Sequence, residues 1–312
     1  MTVHLVDWRD LPALHRFRHQ SVYLDSSLVL TRGTMLMPGA LLSPLAPATG
    51  VFTAVSSGEN HQDPIVFGQV IHLQGWQFAR LTFLTPDDAL SSMTVAPLLE
   101  YLIALCGQRG ALRMIAEVDE QTLAFEALHA VNFVIYARQR IWKFADKLPG
   151  MPGSGVWKTA VSRDVIEIRS LCNNLVPGLV QQMEPYSAQQ PHGLVYYQQG
   201  ILLAYAELKY GHRGVWVQLF IHPEAEAVSE RLVELFWMIS SRPTRPVYLC
   251  VRSYQSWLEP ILESLGGQAG PRQAVMARHL AVAQKAMRPV ALPARDAGQP
   301  EVTASIAQSE QR

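Results

Sequence analysis

The sequence predicts an α/β protein built from two tandem copies of one domain, each a mixed, mostly antiparallel central sheet flanked by helices. Three observations carry that expectation. The stretch Arg113 to Phe144 reads as strand, helix and closing strand in one run, and the same order returns between Val247 and Leu280. Landmarks recur with it: Ile115 and Leu249, then Arg138-Gln139 and Arg272-Gln273, stand at one common spacing, while Thr85-Pro86 with His222-Pro223 and Arg9-Asp10 with Arg163-Asp164 extend the match toward the N-terminus. Between the copies, Asp146 to Gly155 concentrates Pro, Gly and Ser and can continue neither a helix nor a central strand. Units this long exclude a solenoid. The expected division is 1–146, 156–282 and a disordered tail at 283–312, which lacks apolar periodicity.

Thr2 to Val6 alternates as a short strand, and Asp10 followed by Pro12 marks the start of a helix to about Gln20. Ser21 to Gly50 is rich in breakers and should be irregular, with one short helix at most. Val51 to Val55, Ile65 to Leu73 and Trp76 to Leu84 carry β-branched and aromatic residues, and Gln74-Gly75 suits a tight turn, so an antiparallel meander is expected. After Asp87 and Asp88, the positions Val95, Leu98, Leu99, Leu102, Ile103 and Leu105 follow helical spacing. Leu112 to Val118 is a buried strand, Gln121 to Val131 a helix, and Phe133 to Phe144 two short strands or one bent one. The second copy repeats the plan with a helix over 163–175, strands over 193–197, 201–209 and 215–221, a helix over 225–240, a strand over 247–251, a helix over 255–265 and a strand over 273–279. It is shorter mainly because it lacks the long irregular loop.

At 312 residues the chain can bury two cores. Its 26 basic residues balance 26 acidic ones, so it has no electrostatic footprint for nucleic acid or an anionic membrane. Cys106, Cys172 and Cys250 show no metal or disulfide spacing, the N-terminus has no signal-peptide pattern, and prolines interrupt the apolar segment Thr34 to Phe52. A cytoplasmic setting fits.

The element order resembles the GNAT superfamily of acyl-coenzyme A dependent N-acetyltransferases. The residues behind the resemblance are Trp8 to Pro12, the Leu-Thr-Pro end of the fourth strand at Leu84 to Pro86, and a helix leading into Asn132-Phe133, where the family usually carries Gly-Phe. The resemblance implies acyl transfer from acetyl-CoA to a small-molecule or peptide amine. It also implies that the fourth and fifth strands splay apart to admit pantetheine, with the pyrophosphate on the amides of the following helix. On that basis Leu84, Thr85, Ser91, Ser92, Met93 and Thr94 are the expected cofactor-binding residues.

Two departures bear on activity. Neither Pro86 to Thr94 nor Pro223 to Glu230 contains the glycines that let backbone approach a phosphate. Asp87, Asp88, Glu224 and Glu226 lie there instead, and a carboxylate about 5 Å from a phosphate charge costs roughly 3 kcal/mol at an effective dielectric near 20. The helix dipole returns only about 0.3–1 kcal/mol. Leu128 and Leu262 stand where the family's tyrosine acid is expected, and no carboxylate lies on either fourth strand. Glu117, at the end of the fifth strand, and Tyr136 are therefore the candidate catalytic pair, weighed against a solvated carboxylate and an ordinary packed tyrosine. His15 and His19 are four apart on a helix, but Arg16 and Arg18 beside them oppose a metal. Trp76 and Trp216 pack the sheet or line a cleft. The chain is then either an N-acyltransferase or a catalytically silent GNAT-fold binding or scaffold protein, a pseudoenzyme.

Overall fold

The computed structural model describes residues 2–33, 50–58, 64–144, 156–185, 190–239 and 245–280. The segments expected as inter-copy linker and tail lie outside the described residues.

The first half runs β1 (Thr2–Leu5), α1 (Leu11–Arg16), β2 (Val22–Tyr23), α2 (Ser26–Arg32), β3 (Val51–Ser57), β4 (Val66–Ile71), β5 (Phe78–Thr85), α3 (Val95–Gln108), β6 (Arg113–Asp119), α4 (Leu123–Ala130) and β7 (Val134–Phe144). The second runs β8 (Trp157–Thr159), α5 (Val165–Leu175), α6 (Gly178–Met183), β9 (Gly193–Gln198), β10 (Ile201–Tyr210), β11 (Val215–Ile221), α7 (Val228–Ile239), β12 (Val247–Arg252), α8 (Glu259–Ser264) and β13 (Gln268–His279). Short 3₁₀ turns precede α5 and α8. β2, β8 and α6 are too short to leave a periodic signature, and the sequence reading does not contain them. The helix expected from Gln255 begins as a 3₁₀ turn and becomes α-helical at Glu259, with Pro260 in its first turn where no backbone donor is needed.

Among the described residues, thirteen strands join one sheet, in the order β1-β3-β4-β5-β6-β13-β7-β12-β11-β10-β9-β8, with β2 added on β5. Among the described residues, only β5–β6 and β11–β12 pair in parallel. The sequence expectation kept each closing strand in its own copy; the hydrogen bonds exchange them. β13 pairs with β6 and β7 pairs with β12, and the two closing strands then pair with each other. Gln139 lies opposite Gln273 in that central register, so the repeated Arg-Gln pairs of the sequence meet at the pseudo-twofold centre. Their carboxamides bond there, Gln139 Nε2 donating to Gln273 Oε1 at 3.0 Å.

Helices cover both faces of the sheet. α3 and α4 bury Leu98, Leu99, Leu102 and Leu128 against the first half, and α7 and α8 bury Leu232, Leu235, Phe236 and Leu262 against the second. Gly68 on β4 permits the close approach of α3, since a Cβ there would stand 3.0 Å from Leu102 and Leu84 side-chain carbons. On the opposite face α1 packs Leu14 on Phe67 and Phe83, while α5 packs Ile168 and Cys172 on Tyr205 and Phe220. Among the described residues no helix is long and apolar enough to cross a membrane.

Candidate functional site

Among the described residues each half contains one parallel strand pair, and each pair comes apart. β5 and β6 are in register only over Phe78–Arg80 and Arg113–Ile115; β11 and β12 are in register over Val215–Gln218 and Val247–Cys250. Beyond those points the strands splay and expose backbone groups that need partners.

In the first half the partner is the chain itself. β2 lies in the splay antiparallel to β5, with Val22 opposite Leu84 and Tyr23 opposite Phe83. Leu24 N–H donates to the Thr82 carbonyl at 2.8 Å, and Glu117 N–H donates to the Leu24 carbonyl at 2.8 Å, so main chain bridges both walls. Thr85 Oγ1 donates to the carbonyls of Phe17 and Gln20, each at 3.0 Å. Leu84 and Thr85 thus hold the inserted segment.

In the second half one side chain does the equivalent work. Gln255 is 2% exposed. Its carboxamide, oriented by its surroundings, donates to the Leu219 carbonyl at 2.7 Å and accepts from Ile221 N–H at 3.0 Å. A strand or an amide-bearing ligand would satisfy β11 in the same way.

At the helix starts, Ser91 and Met93 are exposed and Thr94 is buried, with Ser92 Oγ and Thr94 Oγ1 bonded to each other at 2.7 Å. Asp87, Asp88, Glu224 and Glu226 all face solvent, where water and salt screen the repulsion expected from the sequence.

Between the two splays, on the face covered by α2, α5 and α6, lies a cavity of about 710 Å³. Trp76 and Phe78 line it from one half and Trp216 and Phe220 from the other. A charged cluster joins its wall. Arg80 lies 3.7 Å from Asp25 and 3.5 Å from Glu117, and Arg252 Nη2 donates to both oxygens of Glu184, at 3.2 and 2.9 Å. Burial alone would raise the Glu184 carboxyl, but Arg252 and Arg80, with hydrogen bonds from Tyr136 and Arg252, hold it at about 2. Burial opposes the charge on Arg80, yet Asp25, Glu184 and Glu117 outweigh it and push that guanidinium above its ordinary value.

The two candidate catalytic residues both belong to this cluster. Glu117 is 3% exposed, accepting from Ser26 N–H at 2.9 Å and from Arg80. Tyr136 donates to Glu184; burial and the Glu184 charge push its phenol well above the usual value, so it stays protonated. They are linked through Arg80, Glu184 and Arg252 and share no hydrogen bond or ion pair with Ser91 or Ser92 at the start of α3. His15 bonds Arg18 at the surface, and no metal-holding group of three ligands occurs among the described residues.

Sequence reasoning missed Glu184, Glu207, Arg252, Tyr254 and Gln255. Two left a trace: Glu207 interrupts the apolar run of β10, and Arg252 ends the apolar β12. Glu207 lies opposite Gln218 of β11 and, like Tyr254, lines the cavity. Burial raises the Tyr254 phenol and keeps it protonated.

No family model matches the chain, and no curated protein matches it. Its fold does match solved structures. A GCN5-related N-acetyltransferase from Sphaerobacter thermophilus superposes with a TM-score of 0.53 at 11% identity, covering 89% of this chain and 95% of that one. A tandem GNAT protein from the clavulanic acid biosynthesis pathway gives 0.51 at 14% identity, covering 89% and 98%. With both splays and the repeat already evident, these likenesses establish the architecture: the chain has the GCN5-related N-acetyltransferase fold in two tandem copies.

Proposed function

We propose that this protein transfers an acyl group from an acyl-CoA type donor to an organic amine, with the donor held by the second half and the amine in the cavity. The observation that supports this most is the pairing of Gln255 with β11. That edge already accommodates a carboxamide, the group a pantetheine arm presents, whereas the first splay is filled by main chain. Leu219 and Ile221 would hold the donor through their backbone. When bound, it supplies an activated thioester.

The chain's own groups then handle protons. Glu207 takes the proton released when the amine nitrogen bonds the acyl carbon, and Tyr254 gives a proton to the sulfur as the carbon–sulfur bond breaks. Glu117 and Tyr136 act as positioning residues through the Arg80–Glu184–Arg252 cluster. The aromatic walls suit a flat or alkylated amine, and the carboxylates of Asp25, Glu117, Glu184 and Glu207 outnumber Arg80, Lys209 and Arg252 by one, which favours a cationic acceptor. Turnover of acetyl-CoA across a panel of amines is the test. Activity is expected to fall about 100-fold in Glu207→Gln, and an unchanged rate removes Glu207 from the role.

Binding without transfer is the second reading, favoured by β2 in the first splay and by the lack of glycine at both helix starts. Acetyl-CoA bound by the protein yet never consumed with any amine would select it.

A further inference from the structure

The two splays are closed by different devices at equivalent places. In the first, Leu24 bonds both walls through its peptide groups, and α1, Thr85 and Asp87 N–H fix the flanking chain. Opening it means removing a strand from a sheet. In the second, the same backbone edge is satisfied by the end of one side chain. Gln255 lies in a 3₁₀ turn with non-helical torsion angles (φ −121°, ψ 23°), on a segment that also carries Tyr254 of the cavity wall. Rotation about the bonds of that side chain frees the Leu219 carbonyl and Ile221 N–H without breaking any strand pairing.

We infer that Gln255 is a displaceable latch: its carboxamide occupies the amide position of the donor slot in the free protein and swings out when an amide-bearing donor arm enters. The inference rests on the donor reading above and adds to it a residue that sets affinity. Closed, the latch keeps two buried polar groups satisfied and water out of the splay. Its closure also subtracts from donor affinity, because only the open fraction of molecules binds. A ligand lacking an amide in the matching place cannot replace the two bonds and is rejected, so the latch discriminates between donors as well as covering the slot.

Calorimetric titration of the full chain with acetyl-CoA, unmodified and as Gln255→Ala, is the first test. The Ala variant is expected to bind about tenfold more tightly. Equal or weaker binding by the variant, with binding by the unmodified chain, overturns the latch and leaves the donor reading standing. Absence of binding by either form overturns both. A second measurement needs no variant and covers the case in which Gln255→Ala does not fold: the side-chain amide protons of Gln255 in the unmodified protein, followed by NMR. Given their burial, they are expected to be protected from solvent exchange in the free chain and to lose protection at saturating acetyl-CoA, while Ile221 N–H stays protected. Retention of Gln255 protection at saturation overturns the latch. Short peptides in place of acetyl-CoA serve as the comparison arm; release of the latch by a peptide alone assigns the slot to strand-like ligands.

Discussion

Glu184 shows how one residue ties the cavity wall to stability. Its folded value of about 2 lies below the ordinary 4.5, so its contribution is fully present above about pH 4.5 and is lost as the pH falls toward 2. A depression of that size corresponds to a contribution on the order of 3 kcal/mol. Glu184→Gln should be less stable at neutral pH, because Arg252 loses its anion while remaining buried. The same variant should lose less stability than the unmodified chain between pH 4.5 and 2. Urea midpoints measured across that window check both halves of the statement; parallel curves for the two proteins would mean that Glu184 is not held ionised by the arginines. No spacing in the sequence signals this group. Glu184, Arg80 and Arg252 are far apart in the chain, and a charge cluster formed by long-range packing leaves no local pattern.

β2 makes the corresponding case for an element. Two residues of strand, in a stretch that composition marks only as breaker-rich, take the place in the first splay that pantetheine takes in the family resemblance. Leu24→Pro removes the donor to Thr82 O and should cost about 1–3 kcal/mol, with acetyl-CoA affinity unchanged if the donor lies in the second half as proposed. A gain of a second acetyl-CoA equivalent in the titration would show instead that the first splay is a donor slot that β2 merely covers. The longer elements were readable because their periods are strong: α3 in Leu98, Leu99, Leu102 and Ile103, and β10 and β11 in β-branched and aromatic runs. The assignment of β7 and β13 to partners was not readable. As copies of one strand, each matches either neighbour, and only the hydrogen bonds reveal that β13 sits beside β6. The candidate site was legible as a place, the splayed fourth and fifth strands, and not as a set of residues. Glu207 on β10 and the turn holding Tyr254 and Gln255, to which the proposed function gives roles, carry no motif spacing that would single them out.

At the scale of the whole molecule, the exchange predicts that neither half is a folding unit. Residues 1–144 alone would leave β6 without β13 and β7 without β12, and residues 156–280 alone would leave β12 and β13 without their central neighbours. Each piece should be aggregated or largely unfolded by circular dichroism and gel filtration, while co-expression of the two should restore a single sheet; a monomeric, cooperatively melting 1–144 fragment would contradict this. Synthesis on the ribosome adds a constraint in time. β6 ends at Asp119, but its partner spans Gln268–His279, so the first half leaves the exit tunnel with a bare strand edge and keeps it until His279 has been made. At about 5–20 residues per second, that edge stays open for on the order of ten seconds or more, the interval in which a neighbouring nascent chain can pair with it. Slowed translation of the second half should therefore lower the soluble yield, and chaperones that mask strand edges should raise it.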